Sequence, residues 1–399
     1  MGGGEALNIG DVLRTRRKSL QLTVTVEAQR AELPRSYLSM IERGRRSPSA
    51  KALLRIVQVL DMTADMWLTQ WIREESHCER LLEVGRELLA QGDNGSARVA
   101  LSRALIVSRN SGKARCFAAV VYVLGRLHFS QGRYARARRC FERHLSWARR
   151  SADAYTLGVA TYSLGLTLGQ MGRDVEAVAK LDESIRLFGK QHMTAELGRA
   201  WLARANRLLA MRMYSQADVS YRRAAHLLRG RPHYLDARLG MAITALALRG
   251  PDAANPVLRS ILRLKTADQT VMAEALAYTA VALRWSGRYE EALLQLRKAL
   301  ELRDLLPRGV LAALLAETAL CQTFEGRVEL ARLTLEDYRR AGDDADSSNI
   351  AVMSILAEIL GVERPDSPIP PDVKDGHERR LTAALQLLRD QPTPLESQG

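Results

Sequence analysis

The residues that most often carry chemistry are spaced in ways that argue against catalysis. The seven histidines form no His-Glu-x-x-His pair and no ligand pair with a cysteine. No phosphate-binding glycine loop, dinucleotide-binding glycine pattern or Gly-x-Ser-x-Gly motif occurs. Cys78, Cys116, Cys140 and Cys321 lack Cys-x-x-Cys spacing, so we expect buried, reduced thiols. The sequence therefore predicts a protein that is not an enzyme and that needs no cofactor or metal.

Positive charge is concentrated at one end of the chain. The 399 residues include 59 Lys and Arg against 45 Asp and Glu, a net charge of +14. Residues 1–150 hold 27 basic and 14 acidic residues, whereas residues 151–399 hold 32 and 31. An uneven excess of this kind is typical of nucleic-acid binding proteins, because phosphates attract clustered basic side chains. We therefore expect a polyanionic partner.

Residues 35–49 carry the most specific motif in this basic region. They read Arg-Ser-Tyr-Leu-Ser-Met-Ile-Glu-Arg-Gly-Arg-Arg-Ser-Pro-Ser, and the pattern is Ser39-x-Ile41-Glu42-x-Gly44-x-x-x-Pro48-Ser49. This stretch resembles the recognition helix and following loop of Xre/Cro-type helix-turn-helix repressors. The resemblance implies a five-helix, lambda-repressor-like domain over residues 8–70. In such domains the second helix crosses the DNA backbone and the third lies in the major groove.

The resemblance also assigns roles to individual residues. An ion pair between Arg17 and Glu42 would hold the first helix against the recognition helix. Arginine in this helix commonly donates two hydrogen bonds to guanine. The resemblance places Arg35, Ser36 and Met40 at base-reading positions, with Tyr37 beside them. It places Arg43, Arg45 and Arg46 where the loop meets phosphates. Thr23 lies at the DNA-facing start of the second helix, which we expect it to cap.

Four residues depart from the repressor pattern. Val24 replaces a glutamine that usually meets a phosphate, and Glu27 falls where an apolar core residue is expected. Either the second helix is rotated, or the register there is shifted by one residue. Glu32 replaces the turn glycine, which would cost about 1 kcal/mol in a left-handed conformation. Pro34 replaces the usual capping residue at the start of the recognition helix, where proline is tolerated.

The elements downstream are helices that repeat. The chain is rich in Ala, Leu, Arg and Glu and shows no alternating strand pattern, which indicates an all-α fold. Seven marker alanines, each followed four residues later by a bulky residue, are spaced by 40, 40, 40, 37, 38 and 39 residues. A glycine stands five residues before most of them, and a small residue twelve before. The markers are Ala97, Ala137, Ala177, Ala217, Ala254, Ala292 and Ala331.

This spacing predicts pairs of antiparallel helices. The small residue lets two helices approach closely, and the glycine ends the first helix with a positive φ. One pair cannot bury its apolar face alone, so pairs stack. The pattern resembles the tetratricopeptide repeat over residues 78–345, including Trp201 and the Gly-x-Tyr-x-x-Ala turn. That resemblance implies a right-handed superhelical solenoid of about seven repeats over residues 71–360, each longer than the usual ~34 residues.

The two ends of the chain are expected to differ from the array. Residues 1–7 are expected to be flexible, and prolines mark 361–375 as a linker. A terminal helix is expected over 377–389, and a frayed tail from Pro392. No apolar run approaches the ~18 residues of a membrane span, and no signal peptide pattern opens the chain, so we expect a cytoplasmic protein without membrane contact.

A helix-turn-helix followed by tetratricopeptide repeats resembles the Rgg/PlcR-type peptide-pheromone receptors, the RRNPP family of quorum-sensing regulators. The resemblance implies a homodimer that binds double-stranded DNA and holds a short signalling peptide on the concave face of the solenoid. Two other hypotheses remain: a DNA-tethered scaffold controlled by a protein partner, and a solenoid with a vestigial helix-turn-helix. The repeat pattern places Tyr122, Arg126, Phe129, Tyr162, Arg199, Asn206, Asp236, Glu274 and Arg284 on the concave face.

Overall fold

The structure is a computed structural model, and it describes residues 8–74, 77–264 and 269–341. Within these ranges the chain forms α-helices and one short 3-10 helix, and no strand occurs there. The predicted all-α class is confirmed. The first five helices are α1 (Ile9–Ser19), α2 (Val24–Arg30), α3 (Arg35–Glu42), α4 (Ala50–Val59) and α5 (Ala64–Glu74).

Fourteen further helices follow in chain order within the described residues, and the repeat spacing of the sequence groups them two by two. A single 3-10 turn, Arg303–Leu305, precedes the last pair. The pairs are α6 (Cys78–Ala90) and α7 (Asn94–Asn110), α8 (Ala114–Ser130) and α9 (Tyr134–Ser151), α10 (Ala154–Gln170) and α11 (Asp174–Lys190), α12 (Thr194–Ala210) and α13 (Tyr214–Leu227), α14 (Tyr234–Arg249) and α15 (Pro251–Leu262), α16 (Gln269–Trp285) and α17 (Tyr289–Leu300), and α18 (Arg308–Phe324) and α19 (Val328–Ala341).

The chain divides into two compact units, residues 1–172 and 173–399. In the first unit, α1–α5 pack together and α6–α10 follow as helical repeats. In the second unit, the described helices are α11–α19, and each packs against the next in the chain. The second unit also brings α12 against α14, α14 against α16 and α16 against α18, so the first helices of successive repeats lie side by side.

The marker residues are buried between helices, as the repeat pattern predicts. All seven marker alanines are buried, and so are the seven bulky residues that follow them. A Cβ on Gly85 would lie 2.7 Å from the Leu101 side chain, and one on Gly125 would lie 2.6 Å from the Phe141 ring. Only a small residue allows the two helices of these pairs to pack this closely.

The predicted turn glycines adopt the left-handed conformation. Gly92, Gly132, Gly172, Gly287 and Gly326 have φ between 69° and 82°, and each ends the first helix of its pair. The fourth pair has no glycine at this place, and Arg212 adopts φ 59° there instead. Arg212 thus adopts a left-handed backbone conformation, which costs a non-glycine residue about 1 kcal/mol.

A shared core joins the five-helix domain to the first repeats. One continuous cluster of buried apolar side chains extends from Ile9 in α1 to Leu127 in α8. Helix α4 packs against α6 and α5 against α7. The Nε of Arg103 in α7 donates to the carbonyl of Ile72 in α5 at 3.3 Å. The five-helix domain therefore packs against the first repeats through a common core.

The expectation of four reduced thiols is wrong for two of them. Cys78 at the start of α6 and Cys116 near the start of α8 form a disulfide, with Cα atoms 6.5 Å apart. This distance lies within the range that a disulfide spans. The residues are 38 positions apart, so a search for local cysteine motifs could not find the pair. Cys140 and Cys321 are free thiols, and burial raises the pKa of both.

Among the predicted domain boundaries, the one at residue 70 falls within a described helix. Helix α5 continues to Glu74, past the predicted boundary at residue 70. The predicted flexible start (1–7), the linker (361–375), the terminal helix (377–389) and the tail from 392 lie outside the described residues. None of the described helices is both long enough and apolar enough to cross a membrane.

Candidate DNA-binding and ligand-binding sites

Helix α3 has one face in the core and the other in solvent. Leu38 and Ile41, three residues apart, are buried, which fixes the rotation of the helix about its axis. The opposite face exposes Arg35 and Ser36, and Met40 is half-buried. Arg35 and Ser36 therefore lie at the accessible, N-terminal end of α3, whereas Met40 lies near its C-terminal end.

The turn before α3 follows the repressor pattern in spite of its unusual residues. Thr23 caps α2, since its hydroxyl accepts a hydrogen bond from the Val26 amide at 3.3 Å. Glu32 adopts φ 53°, the left-handed conformation expected of the missing glycine. Pro34 precedes α3 in an extended conformation and makes no side-chain cap. The substitutions thus change the residues of the turn but not its path.

The loop after α3 presents three arginines to solvent. Gly44 ends the helix with φ 67°, and Arg43, Arg45 and Arg46 are all exposed. No ion pair involves any of the three within the described ranges. Exposed guanidinium groups next to a recognition helix suit phosphate contacts, because each can donate two parallel hydrogen bonds.

Tyr37 has a structural position rather than one on the outer face of α3. Its hydroxyl accepts a hydrogen bond from the Ser49 amide at 3.2 Å, and its half-buried ring packs against the core. The Arg46 guanidinium lies 4.9 Å from the ring centroid. Tyr37 therefore fixes the loop that carries the arginines, and its place beside the base-reading residues stays a prediction.

A buried ion-pair network attaches α3 to α1. Arg17 donates to both carboxylate oxygens of Glu42, from Nε at 2.6 Å and from Nη2 at 3.0 Å. Arg17 also donates to the Leu22 carbonyl at 2.7 Å. The Arg17–Glu42 pair that the repressor resemblance implied is therefore present. A bidentate arginine–carboxylate pair holds two helices in a defined geometry.

Glu27 on α2 is a third member of this network. It is fully buried, with Oε2 at 3.2 Å from Arg17 Nε, and neither carboxylate oxygen accepts a hydrogen bond in the described part of the chain. Burial and the nearby Glu42 raise the pKa of Glu27 to about 7, against the attraction of Arg17. Glu27 therefore occupies the core position of α2 as a carboxylate, so neither a rotated helix nor a shifted register is needed to explain it.

We expect the stability of this domain to fall as the pH rises from 5 to 8. Folded Glu27 holds its proton up to a pKa of about 7, whereas its ordinary value is 4.5. The free energy of unfolding therefore falls by an amount on the order of 3 kcal/mol across that pH window, and it stays at the lower value at higher pH. Glu27→Gln should remove this dependence, measured as hydrogen-exchange protection of α2 and α3 amides at the two pH values.

The exposed Glu32 provides the matched control for this prediction. Glu32→Gln changes the same charge on the turn that follows α2, but at a solvated position. It should leave the pH dependence of the wild-type protein in place. A Glu27→Gln variant whose protection falls with pH as steeply as that of the wild type would contradict the assignment.

The predicted ligand-binding residues fall into both units. Tyr122, Arg126, Phe129 and Tyr162 belong to the first unit, and the other five belong to the second. Tyr122 is half-buried against the rings of Phe141 and His144, at centroid distances of 5.9 and 5.0 Å. Phe129 packs edge-on against Tyr134 at 5.5 Å. Tyr122 and Phe129 thus contribute to packing within their own repeat, whereas Arg126 is exposed.

In the second unit, α12 carries the most accessible of the predicted ligand residues. Arg199 and Asn206 are exposed and lie seven residues apart, so they share one face of the helix. The Tyr221 hydroxyl donates to the Asn206 Oδ1 at 2.7 Å. Arg199 makes a 3.0 Å ion pair with Glu196 one turn earlier. The Asn206 carbonyl is therefore held in place, which orients its amide nitrogen.

Three other predicted ligand residues lie on α14 and α16. Arg284 in α16 pairs with Glu317 in α18 through Nε at 2.5 Å and Nη2 at 3.2 Å. Burial works against the Arg284 charge, but Glu317 outweighs it and the pKa of Arg284 is raised. Asp236 accepts from His233 at 2.8 Å, and Glu274 is half-buried. Arg284 in particular connects two successive repeats through Glu317, so its guanidinium is already paired on the face where the repeat pattern places it.

Comparisons with known proteins agree with this domain order. Residues 8–67 match the helix-turn-helix domain family, and residues 117–190 match the tetratricopeptide repeat family. No curated protein matches the chain significantly.

Many solved structures share the fold. A tetratricopeptide repeat protein from Parabacteroides merdae superposes with a TM-score of 0.54 at 16% identity, over 71% of this chain and 98% of its own. The apo form of RapI superposes with a TM-score of 0.53 at 11% identity, over 66% of this chain and 98% of its own. The apo form of the quorum sensor NprR from B. thuringiensis superposes with a TM-score of 0.50 at 14% identity, over 70% of this chain and 80% of its own. The chain combines a helix-turn-helix domain with tetratricopeptide-like helical repeats.

Proposed function

We propose that this protein is a sequence-specific DNA-binding transcriptional regulator. The observation that carries the proposal is the presentation of α3. Arg35 and Ser36 face solvent, while Leu38, Ile41 and the Arg17–Glu42 pair fix the helix from behind. A helix held rigidly with a guanidinium at its accessible end suits insertion into the major groove. The exposed arginines of the following loop supply phosphate contacts.

The repeats act as the sensor in this proposal. The Asn206 amide is exposed on α12 and oriented by Tyr221, and its NH₂ group can donate to a peptide carbonyl. Arg199, two turns away on the same face, pairs only with a partly exposed Glu196. An exposed pair of this kind contributes little to stability, so its arginine can turn to a carboxylate of a bound chain. A short signalling peptide is the ligand that this face fits best.

The shared core joins the first repeats to the helix-turn-helix domain, which is the DNA-binding end of the coupling that this proposal requires. Because α4 and α5 pack on α6 and α7, a change in the packing of the first repeats would reorient the helix-turn-helix domain. Xre-type domains usually bind as two-fold dimers to half-sites one helical turn apart. We include a homodimer in the proposal, with a pseudo-palindromic operator as its consequence.

The sensor role is tested with Asn206→Ala and a library of short synthetic peptides. DNA binding by the full chain is followed by fluorescence anisotropy with and without peptide. A peptide that changes the DNA affinity of the wild-type protein should lose at least about tenfold in potency on the variant, because a buried peptide amide without a partner costs about 1–3 kcal/mol. DNA binding without peptide should be unchanged.

An exposed amide on the neighbouring helix provides the control. Gln216→Ala removes the same group from α13 and should leave the peptide response intact. If Asn206→Ala lowers the melting temperature and DNA binding together, then Asn206 is a packing residue. If no peptide acts on the wild type but a protein fraction does, then the second hypothesis, a DNA-tethered scaffold controlled by a protein partner, replaces the peptide sensor.

A further inference from the structure

The positive charge of this protein lies mainly outside the helix-turn-helix domain. Residues 8–74 contain 12 Lys and Arg against seven Asp and Glu. Residues 94–150, which form α7, α8 and most of α9, contain 13 Lys and Arg against a single acidic residue, Glu142. Twelve of these thirteen are arginine. The excess that the sequence suggested for DNA binding therefore belongs chiefly to the first two repeats.

Three of these arginines form one row on α9. Arg136, Arg139 and Arg143 follow each other at helical spacing of three and four residues, which places them on one face. All three are exposed. Together with His128 of α8 and Cys140 they line an open groove of about 390 Å³.

A second groove continues the first along the same surface. It has a volume of about 370 Å³ and extends between the end of α7 and the start of α8. Arg109 and Arg143 line it over an apolar floor that includes Leu105 and Phe117. Arg143 belongs to both grooves, and its guanidinium lies 5.9 Å from the centroid of the Phe117 ring. The two grooves thus form a single basic surface, which we call the α7–α9 surface.

The arginines of the α7–α9 surface are not neutralised. Within the described residues, Arg98, Arg109, Arg136, Arg139 and Arg143 make no ion pair.

The groove also contains a partly buried polar group without a partner. The Nδ1 of His128 is buried and has no hydrogen-bond partner among the described residues. Burial lowers the pKa of His128, and Arg136, Arg133, Arg98 and Arg139 lower it further, as expected in a strongly positive field. A surface that accumulates unpaired guanidinium groups is suited to an anionic partner.

We propose that the α7–α9 surface binds the sugar-phosphate backbone of DNA outside the base pairs that α3 reads. This inference rests on the proposed DNA-binding function. Arginine is the side chain whose fork matches a phosphate with two hydrogen bonds. Helices α7 and α9 have 17 and 18 residues, so each extends over about 26 Å, which suits an extended polyanion.

Two observations favour duplex DNA over a small anion. Both grooves are open to solvent, whereas a small ligand usually binds in a pocket that surrounds it. The helix-turn-helix domain belongs to the same compact unit as α7–α9 and shares its core. The α3 helix and the α7–α9 surface therefore belong to one compact unit. The repeats thereby add sequence-independent affinity to the specific contacts of α3.

The test compares two duplexes that contain the same operator, obtained by selection with the full chain. One duplex ends at the operator, and the other carries 20 additional base pairs on each side. The variant Arg136→Gln/Arg139→Gln/Arg143→Gln removes three charges from the surface. Its affinity for the long duplex should fall at least about tenfold, and its salt slope there should decrease by about two to three, because each lost phosphate contact removes about 0.9. Binding to the short duplex should be unchanged.

A triple variant of equal charge provides the control. Arg229→Gln/Arg231→Gln/Arg249→Gln changes exposed arginines of the second unit, and it should bind both duplexes as the wild type does. A surface variant that binds the long duplex with wild-type affinity and salt slope overturns the proposal. So does a surface variant that loses only heparin binding, since the partner is then another polyanion. A wild-type protein that binds no duplex refutes the proposed function itself, so the two failures are distinguishable.

Discussion

Replacing Arg17 with methionine is expected to lower the free energy of unfolding of the helix-turn-helix domain by about 3–5 kcal/mol, the usual cost of removing one partner from a buried ion pair. Arg17 is the cation between two carboxylates, Glu42 and the fully buried Glu27. Without it, both carboxylates remain in the core and repel each other. DNA binding should be lost together with the fold of α3.

The pH dependence of the Arg17→Met variant separates this account from a simple packing defect. Two buried carboxylates without a cation relieve their repulsion by taking up a proton, so the destabilisation should be largest at pH 8 and smallest near pH 5. The unfolding free energy is measured from urea titrations at the two pH values. Arg14→Met, an exposed arginine on the same helix, should cause little change at either. A loss that is equal at both pH values would contradict the network.

The second large effect is expected at the tie between α16 and α18. Glu317→Gln should lower the stability of the second unit by about 3 kcal/mol, because it leaves the Arg284 guanidinium with an unpaired charge in a site where its side chain is only 11% exposed. The unfolding transition of the second unit, followed by hydrogen exchange of α16 and α18 amides, should move to lower urea concentration.

Two further variants test whether the charge is responsible. Glu290→Gln breaks an exposed pair with Arg327 and should have almost no effect. The double change Arg284→Met/Glu317→Leu removes both charges and should recover most of the stability, since an apolar pair can replace a buried ion pair. If the double variant is as unstable as Glu317→Gln alone, then the charge pairing is not what stabilises this contact.

Local patterns in the sequence were enough to predict the helices, the turns and the recognition motif. Positive φ is confined by sterics to glycine and a few tolerant residues, so the five turn glycines identified the ends of the first helices. The small-to-bulky spacing predicted which helices pair, because the contacts between Gly125 and Phe141 follow from size alone. The Arg17–Glu42 pair was accessible only through a family resemblance, since its members are 25 residues apart.

Features that depend on contacts between distant residues were predicted less well. Arg284 was placed on a ligand-binding face, but a glutamate 33 residues later neutralises it. Cys78 and Cys116 were expected to be reduced, but their helices bring them together. Glu27 looked like an error of register because a buried carboxylate is rare, and only the position of Arg17 explains it. The charge count located the basic excess in residues 1–150, but it could not show which helices of that region carry it.

The most direct test of the central claim is selection of DNA from a random duplex library by the full chain, followed by the same selection with Arg35→Ala. We expect the wild-type protein to enrich one pseudo-palindromic sequence. Arg35→Ala should reduce affinity for it about 5- to 150-fold, the equivalent of about 1–3 kcal/mol, and relax the preference at one base position of each half-site. Arg263→Ala, exposed in the second unit, should change neither. Enrichment of no sequence by the wild type, or equal weakening of Arg35→Ala on every sequence, would contradict base reading by α3.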